Sequence, residues 1–417
     1  MKLLLKSVKI LDPTSSFHNE IRDIFLENGT ILEIGKDLKV EADEVIKIDN
    51  LHVSQGWFDS SVSFGEPGYE ERETISNGLD TAGKSGFTSV ALNPSTFPIL
   101  DHSSSISAVR AKAWGHAVKM YPMGALTIKS EGKDLAELLD MKNAGAVGFG
   151  DYKSPVSNPN LLKISLQYAQ NMNVLIQSYP QENRIATNGI VNEHENSTSL
   201  GLKGIPNLAE ELQIIRDLYI LEYTGGKLHI PTISTAKSVA LIKEAKEKGL
   251  DVSCSVAIHN LILTDDELKE FNANTKVLPP LRTSIDTKAL IAGLEDGTID
   301  MVTSDHNPID VENKKVEFDN ALFGSIGLES AFGALCTIFD TGMAVKLLTA
   351  GKDRFGIKSD TIAEGQKADL SLFLPDEQYV FTEKDILSTS LNSIFLGKEL
   401  KGRPVGVVTS SGHLLAN

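Results

Sequence analysis

Eight short apolar segments alternate with polar loops and amphipathic segments through the middle of this chain. They occupy residues 57–59, 87–92, 118–123, 146–149, 174–177, 228–233, 252–256 and 301–304. Runs that are apolar throughout are typical of parallel strands buried on both faces, and such strands need crossover connections, usually helices. The pattern therefore predicts an α/β fold, and eight such units over about 300 residues are typical of a (β/α)8 barrel.

The intervening segments support the barrel. One helix is predicted after Pro206, because Leu208, Leu212, Ile215 and Tyr219 follow helical spacing. A doubly wound open sheet is the alternative fold, but no Gly-x-Gly-x-x-Gly sequence follows an early strand. In a barrel the chemistry lies at the carboxyl ends of the strands, so functional residues are expected there.

Both ends of the chain have a different pattern, with alternating apolar and polar positions cut by turns. Strands are predicted at 3–11, 23–27 and 30–35, with an Asn28-Gly29 hairpin turn, and at 368–374 and 405–410. We expect residues 1–54 and 361–417 to form one small β-sandwich domain beside a barrel of residues 55–360.

Composition favours a protein of the cytoplasm. The 417 residues include only two cysteines, Cys254 and Cys336, which make no disulfide framework. We find no apolar run long enough to span a membrane and no secretory signal at the start of the sequence. A formal net charge of −16 argues against nucleic acid and anionic membranes as partners.

Several predicted strand ends carry motifs of one known family. Residues 56–68 read Gly-Trp-Phe-Asp-Ser-Ser-Val-Ser-Phe-Gly-Glu-Pro-Gly and resemble the dihydroorotase signature Gly-Phe-x-Asp-x-His-x-His-x-Arg-x-Pro-Gly. Further resemblances follow in family order, at 87–98, 233–235, 279–282, 297–308, 323–329 and 364–370. The resemblance implies the amidohydrolase barrel with its small β domain, and hydrolysis of a cyclic amide on a zinc pair in pyrimidine synthesis.

The zinc ligands implied by the resemblance are nearly all replaced. The paired histidines of the first strand are Ser61 and Ser63, and the bridging carboxylate of the fourth strand falls on Tyr152, one residue after Asp151. The histidines of the fifth and sixth strands are Gln177 and Thr232, so that only the aspartate of the eighth strand remains, as Asp305.

The positions that bind substrate in the family have changed in the same way. The arginine that grips a substrate carboxylate is Gly65, two asparagines are Ser95 and Leu278, and a late histidine is Ile309. Replacing arginine by glycine removes a bidentate carboxylate clamp that neither neighbour supplies.

These replacements predict that the zinc chemistry is lost. Zinc needs three or four imidazole, thiolate or carboxylate ligands, whereas serine and threonine hydroxyls stay protonated near neutral pH. We therefore expect no metal cofactor. Asp305 is the one catalytic residue retained, and we interpret it as a vestige that orients the eighth loop, the other reading being that some chemistry still needs it.

Three histidines and one loop need separate interpretation. His229 lies inside an apolar strand and is interpreted as a hydrogen-bonded barrel residue. His259 and His306 are interpreted as inherited loop residues, His306 through a hydrogen bond. Residues 182–204 form a long polar loop, which makes them a candidate lid or contact surface.

Three functions follow from this sequence. The first is an inactive homologue acting as a structural or regulatory subunit, for example with aspartate carbamoyltransferase, and forming a homo-oligomer. The alternative is a hydrolase for a cyclic amide with a rebuilt, metal-poor site. That polar pocket would contain Ser61, Ser63, Asp151, Tyr152, Gln177, Thr232 and Asp305, with Lys153 adding charge. The third is an ordinary dihydroorotase with displaced ligands, although no His-x-His occurs in the chain.

Overall fold

The computed structural model describes residues 2–416, in which barrel strands alternate with helices between two strand-rich ends. The strands are β1 Lys2–Leu11, β2 Ile21–Glu27, β3 Thr30–Gly35, β4 Glu44–Ile46, β5 His52–Gln55, β6 Trp57–Val62, β7 Phe87–Leu92, β8 Lys119–Pro122, β9 Gly148–Phe149, β10 Leu175–Gln177, β11 Val191–Asn192, β12 Gly204–Ile205, β13 Lys227–Ile230, β14 Val252–Ala257, β15 Met301–Thr303, β16 Asp369–Val380, β17 Glu399–Thr409 and β18 Gly412–Leu415.

The helices connect these strands. They are α1 Ile75–Lys84, α2 Ser103–Lys112, α3 Leu138–Ala144, α4 Pro159–Met172, α5 Asn183–Ala186, α6 Glu195–Leu200, α7 Asn207–Thr224, α8 Ala236–Glu247, α9 His259–Ile262, α10 Ser284–Glu295, α11 Val311–Lys314, α12 Ala331–Leu335 and α13 Thr341–Thr349. No described helix is long and apolar enough to cross a membrane.

Eight parallel strands close into a barrel. Strands β6, β7 and β8 form one sheet, and β9, β10, β13, β14 and β15 form the other. Two parallel bridges join the sheets, Gly124 with Phe149 and Val62 with His306. The (β/α)8 prediction is therefore confirmed, and every residue of β6, β7 and β14 is buried, as expected for strands covered on both faces.

One end of the barrel is filled by apolar side chains. Phe58, Leu175 and Met301, near the amino ends of their strands, pack with Phe355 and Ile357 from the segment after α13. The rings of Phe58 and Phe355 lie 5.2 Å apart. Because this end is closed by packing, the carboxyl end of the barrel is where a site can form.

The strands from both chain ends form one mixed, eight-stranded sheet. Its order is β18-β17-β16-β5-β1-β2-β3, with β4 beside β1. The predicted Asn28-Gly29 turn joins β2 to β3, and both residues have positive φ, 49° and 70°. A bridge between Thr30 and Lys367 brings β3 next to the start of β16, so that the sheet curls around its own apolar core.

The main differences from the sequence prediction concern two segments. Residues 182–204, predicted as a loop, contain α5, β11, α6 and the start of β12, and Arg282 fixes them by donating to Asn192 Oδ1 at 2.9 Å and to the Ile205 carbonyl at 2.7 Å. The segment is thus an ordered part of the barrel rim. The other segment is α7, the helix predicted after Pro206, in which the apolar positions that predicted it are exposed.

Candidate functional site

A cleft of about 290 Å³ opens at the carboxyl end of the barrel. It is lined by residues that follow β6, β7 and β9 and by the loops at 278, 307–309 and 322–323. Besides the positions discussed below, its lining includes Phe64, Tyr69, Arg72, Asn307, Leu322 and Phe323. The cleft lies where the chemistry of a barrel protein is expected.

An ion pair adjoins the cleft through Lys153, which lines it. Lys153 Nζ donates to Asp305 Oδ2 at 2.8 Å; the Asp305 side chain is buried, with 3% exposed, and that of Lys153 is mostly buried, with 12% exposed. Burial raises the pKa of Asp305, against the lowering effect of Lys153. Burial opposes the charge on Lys153, but the Asp305 carboxylate leaves the pKa of Lys153 raised, so the ammonium is charged at neutral pH.

A chain of neutral polar groups adjoins this pair. Asn93 Nδ2 donates to Ser61 Oγ at 3.1 Å and to Ser63 Oγ at 3.2 Å, and Ser95 Oγ donates to Ser63 Oγ at 3.1 Å. Ser61 Oγ in turn donates to Asp305 Oδ1 at 3.4 Å. The two serines at the family's paired-histidine positions therefore lie side by side and are hydrogen-bonded within the protein.

The backbone is unusual at three strand ends. Tyr152, Thr232 and Asp305 have φ values of 53°, 50° and 50°, in the left-handed region. That region is tolerated by Asp, Asn and His more readily than by other non-glycine residues, and a β-branched threonine there is an outlier. All three are positions at which the resemblance implies a metal ligand, so the conformation is present although two of the side chains have changed.

Asp59 of β6 has structural partners. Asp59 accepts hydrogen bonds from the hydroxyl of Thr303 and the amides of Ser61 and Ser304, which ties the first barrel strand to the last. Burial raises the pKa of Asp59. These bonds position the segment that carries Ser61 and Ser63.

Asp151 does not join the polar pocket that the sequence suggested. Its carboxylate accepts from the Thr127 amide at 3.0 Å and the Thr127 hydroxyl at 2.6 Å, and it is not among the residues lining the cleft. The chain turns at Tyr152, whose side chain lines the cleft in its place. Asp151 thus fixes the loop after β8.

Gln177 and Thr232 lie apart from the cleft. Gln177 is buried against Gly150, and Thr232 lines a separate small recess with Tyr179 and Arg282. Within residues 2–416 no group of three His, Cys, Asp or Glu side chains is arranged to hold a metal ion. Only Ser63 and Tyr152, of the replaced ligand positions, line the cleft itself.

The four substrate-pocket positions come together. Gly65, Ser95, Leu278 and Ile309 all line the cleft, although they are far apart in the sequence. The loop after β6 has closed over Gly65, because a Cβ there would lie only 1.8 Å from the Tyr69 carbonyl oxygen. Whether these positions bind a small molecule stays a prediction.

The buried histidines have structural roles in this arrangement. Both ring nitrogens of His229 contact hydroxyls, of Ser253 at 2.8 Å and Ser255 at 3.2 Å, and burial lowers the pKa of His229 to about 3. His306 Nδ1 accepts from the amides of Gly327 and Leu328, which fixes that loop.

His259 is also buried, and it begins α9. Burial, with Lys153 as the second cause, lowers its pKa to about 3. Its Nε2 has no hydrogen-bond partner among the described residues. It is not among the residues that line the cleft.

Sequence reasoning missed two residues of the site. Asn93, which bridges the two serines, directly follows β7, and its place after a strand is a signal that could have found it. Arg72 lines the cleft from the loop after β6, stacked 4.4 Å from the Tyr69 ring and with Nε 3.3 Å from Asp310 Oδ2. No pattern in the sequence distinguishes Arg72 from other loop cations.

Comparison with solved structures supports the fold. L-hydantoinase (dihydropyrimidinase) from Arthrobacter aurescens superposes with a TM-score of 0.84 over 100% of this chain and 97% of that chain, at 22% identity. D-hydantoinase (dihydropyrimidinase) from Thermus sp. gives 0.80 over 99% of this chain and 94% of that chain, also at 22% identity. At such identities the likeness shows the shared barrel with its sheet domain.

Comparison of sequences identifies the family. The Dihydro-orotase-like family model matches residues 50–238. The protein called dihydroorotase in Pelotomaculum thermopropionicum is 40% identical over 97% of this chain and 96% of its own length. That of Geotalea daltonii is 37% identical over 96% of both chains. With relatives this similar over their whole length, and with the strand-end motifs in place, this chain belongs to the dihydroorotase family.

Proposed function

We propose that this chain is a non-hydrolytic member of the dihydroorotase family that acts in the cytoplasm as a structural or regulatory subunit in pyrimidine synthesis, for example with aspartate carbamoyltransferase. The observation that carries the proposal is the ion pair between Asp305 and Lys153, the second of which lines the cleft. The one family carboxylate that remains accepts a hydrogen bond from a buried ammonium.

The side chains present do not fit zinc. Zinc binds thiolate, imidazole and carboxylate groups, and a catalytic site needs about three of them. Ser61 and Ser63 offer protonated hydroxyls, Tyr152 a phenol whose pKa burial raises, and Gln177 and Thr232 lie outside the cleft. A cation that approached Asp305 would also meet the charge of Lys153, so a zinc pair gains too few ligands.

The hydrogen bonds that hold the barrel rim in place support a structural role for this chain without hydrolysis. Asp59, Asp151 and His306 keep hydrogen bonds that hold the strand ends and loops in place. Those residues maintain the barrel rim, whereas the positions of the family's metal ligands hold neutral side chains or, at Asp305, a paired carboxylate. A structural subunit needs the residues that maintain the rim and does not need metal ligands.

The first experiment measures zinc and turnover on one sample. The full-length protein is purified with added zinc, its metal content is determined, and dihydroorotate hydrolysis is assayed, beside the relative from Pelotomaculum thermopropionicum prepared in the same way. We expect less than about a tenth of an equivalent of zinc and no turnover. One or two bound metals with turnover would overturn the proposal, because other residues would then supply the ligands.

The second experiment tests the subunit role. The chain is mixed with aspartate carbamoyltransferase from the same organism and analysed by size-exclusion chromatography with mass determination. We expect a stoichiometric complex and a change in carbamoyltransferase activity. If the two proteins elute separately and the transferase is fully active alone, the partner named here is wrong, while the metal result stands independently.

The open cleft favours a second candidate, a hydrolase with a rebuilt, metal-poor site. About 290 Å³ remains beside Arg72 and Lys153, and Ser63, Ser95 and Tyr152 are among the residues that line it. Calorimetric titration with dihydroorotate measures binding, and a hydrolysis assay without metal measures turnover. Turnover that disappears in Lys153→Met would replace the first proposal. Binding without turnover would leave the protein a non-hydrolytic ligand sensor.

A further inference from the structure

The cleft at the carboxyl end of the barrel has two cationic side chains in its lining. Arg72 and Lys153 both line it, whereas no aspartate or glutamate of residues 2–416 is among the lining residues. The carboxylate partners are less exposed than the cations: Asp310 is 11% exposed beside Arg72 at 21%, and Asp305 is 3% exposed beside Lys153 at 12%. The surface of the cleft is therefore cationic, with the compensating carboxylates outside its lining.

Both cations keep hydrogen-bond donors that the protein does not use. Arg72 donates through Nε to Asp310 Oδ2 at 3.3 Å, and its two terminal nitrogens have no hydrogen-bond partner among the described residues. Lys153 donates to Asp305, and an ammonium has three N–H groups, so it too has a donor to spare. Charged N–H donors of these two kinds form the stronger hydrogen bonds to oxyanions.

The course of the loop after β6 places the guanidinium. The Tyr69 amide donates to the Gly65 carbonyl and the Arg72 amide donates to the Tyr69 carbonyl, both at 3.0 Å, so the loop folds back on itself. As a result, the Arg72 Cβ lies 3.1 Å from the position that a Cβ at residue 65 would occupy. Because the guanidinium also stacks on the Tyr69 ring, 4.4 Å from its centroid, it is held at the cleft before any ligand binds.

Much of the remaining lining is apolar. Leu278, Ile309, Leu322 and Phe323 come from three loops and offer no hydrogen-bonding side chain. A polar group that is buried against such side chains without a partner is unfavourable. The volume of about 290 Å³ lies at the lower end of the range for ligand pockets, about 300 to 1,000 Å³. The cleft therefore suits a small molecule with an apolar body.

We propose that the cleft binds a small organic acid. Arg72 and Lys153 hold its carboxylate, and the apolar side chains of the three loops contact its body. A carboxylate matches the planar guanidinium through two parallel N–H donors. A single negative charge is favoured because both cations already have a carboxylate partner. The inference rests on the proposed function in one respect, that the ligand is bound and not hydrolysed.

The test is calorimetric titration of the full-length protein with benzoate and with cyclohexanecarboxylate. Each has one carboxylate on an apolar ring and no amide to hydrolyse. We expect one site per chain, and benzamide, the uncharged counterpart of benzoate, should bind at least about 10-fold more weakly. Inorganic phosphate and phenyl phosphate are the comparison anions.

The results separate this inference from the proposed function, since the titration involves neither zinc nor a partner subunit. The absence of binding by both carboxylates up to about 10 mM overturns the inference, whatever the zinc content or the carbamoyltransferase result. A phosphate that binds as tightly as benzoate also overturns it, because the site would then select charge alone. Equal binding of benzoate and benzamide does so as well.

Arg72→Met tests the role of the guanidinium, because methionine keeps an unbranched apolar side chain. We expect benzoate binding to weaken about 10- to 100-fold, and Arg72→Lys, which keeps the charge without the planar fork, to give an intermediate affinity. Arg403→Met is the matched control. Arg403 also stacks on a tyrosine, 3.9 Å from the Tyr379 ring centroid, and pairs with Glu377, but it lies on β17 in the sheet of the chain ends. It should leave the affinity unchanged.

Leu278→Asn tests the apolar wall without a change of charge. It should weaken benzoate binding on the order of 10-fold, since part of the apolar contact is lost. Circular dichroism first shows which variants are folded, and Leu278→Asn and Arg72→Lys keep the test decisive if Arg72→Met does not fold. Folded variants at Arg72 and Leu278 that bind benzoate as tightly as the natural chain would place the carboxylate elsewhere and overturn the inference.

Discussion

At the scale of single residues, the site beside the cleft contains charges that balance one another. Asp305 is buried, Lys153 is mostly buried, the two share one hydrogen bond, and the neighbouring serines contribute no charge. Removing one member of a buried pair leaves the other charged and unpaired, which costs more than the pair itself contributes. The pair is therefore best tested by replacing both residues as well as each alone.

Lys153→Met should lower the free energy of unfolding by about 3 kcal/mol, because Asp305 then remains buried without a counter-charge. Adding Asp305→Asn should restore a large part of the loss. Urea unfolding of both single variants and the double variant gives the coupling free energy between the two side chains. Lys133→Met, which breaks the exposed contact with Glu131, is the control and should leave stability unchanged. Single effects that simply add in the double variant would contradict a direct pair.

His229 predicts a particular pH dependence. Its pKa is about 3 in the folded protein because of burial, and close to 6.5 when unfolded, so the unfolded chain binds the extra proton between these values. Stability from this group is thus complete above pH 6.5 and declines as the pH falls toward 3.

Between pH 8 and pH 5, the free energy of unfolding of the natural chain should fall by about 2 kcal/mol more than that of His229→Gln. Urea unfolding at both pH values measures this difference, in which any constant effect of the substitution cancels. Equal losses in the two proteins would show that the folded chain protonates His229 as readily as the unfolded chain does.

At the scale of elements, the strands were predictable and their ends were only partly so. Eight apolar runs gave the barrel, because strands covered on both faces need apolar side chains at every position. The run at 228–233 stops earlier than predicted, at Ile230, since Pro231 and the left-handed Thr232 end the strand.

The contents of the cleft were harder to predict. Which way Asp151 and Tyr152 point depends on one backbone turn that the sequence does not mark, and Arg72 reaches the cleft only through the course of its loop. The exposed row on α7 shows the same limit. Helical spacing reveals an apolar face without saying which side the core occupies.

The strand-end backbone predicts that a metal site can be rebuilt. Aspartate and histidine suit the left-handed conformation at 152 and 232, which the chain already adopts. The full set replaces five ligand positions and removes the competing ammonium: Ser61→His, Ser63→His, Tyr152→Asp, Lys153→Met, Gln177→His and Thr232→His.

That variant should bind at least one equivalent of zinc, measured by elemental analysis after dialysis, once circular dichroism has shown that it is folded. Adding Asp305→Asn to the set should weaken zinc binding, and this comparison separates the intended site from surface histidines. A folded variant without zinc would show that the strand ends have drifted from ligand geometry.

At the scale of the whole molecule, the barrel and the sheet of the chain ends share an apolar core. Trp57 of β6 stacks on Phe332 with ring centroids 4.8 Å apart and lies 5.4 Å from Phe373 of β16. The buried Lys352 pairs with Asp369 at 2.8 Å across the same boundary. The division into residues 1–54 with 361–417 and residues 55–360 stays a prediction, but the packing predicts that the two parts unfold together.

Phe373→Ala should lower the free energy of unfolding by about 3 kcal/mol and leave a single transition. Fluorescence of the buried Trp57 and far-ultraviolet circular dichroism follow the two kinds of structure in one titration. The curves should coincide in the natural chain and in the variant. Two separated transitions would mean that the sheet and the barrel are independent units.

The loop over Gly65 restricts the side chains that position 65 can hold. Any side chain at position 65 meets the Tyr69 carbonyl oxygen at 1.8 Å, so an arginine cannot return there while the loop keeps its present course. Positions 152 and 232 are different, since their left-handed backbone suits aspartate and histidine. A substitution at either strand end is thus a local change of side chain, whereas an arginine at position 65 requires the whole loop up to Tyr69 to take another course.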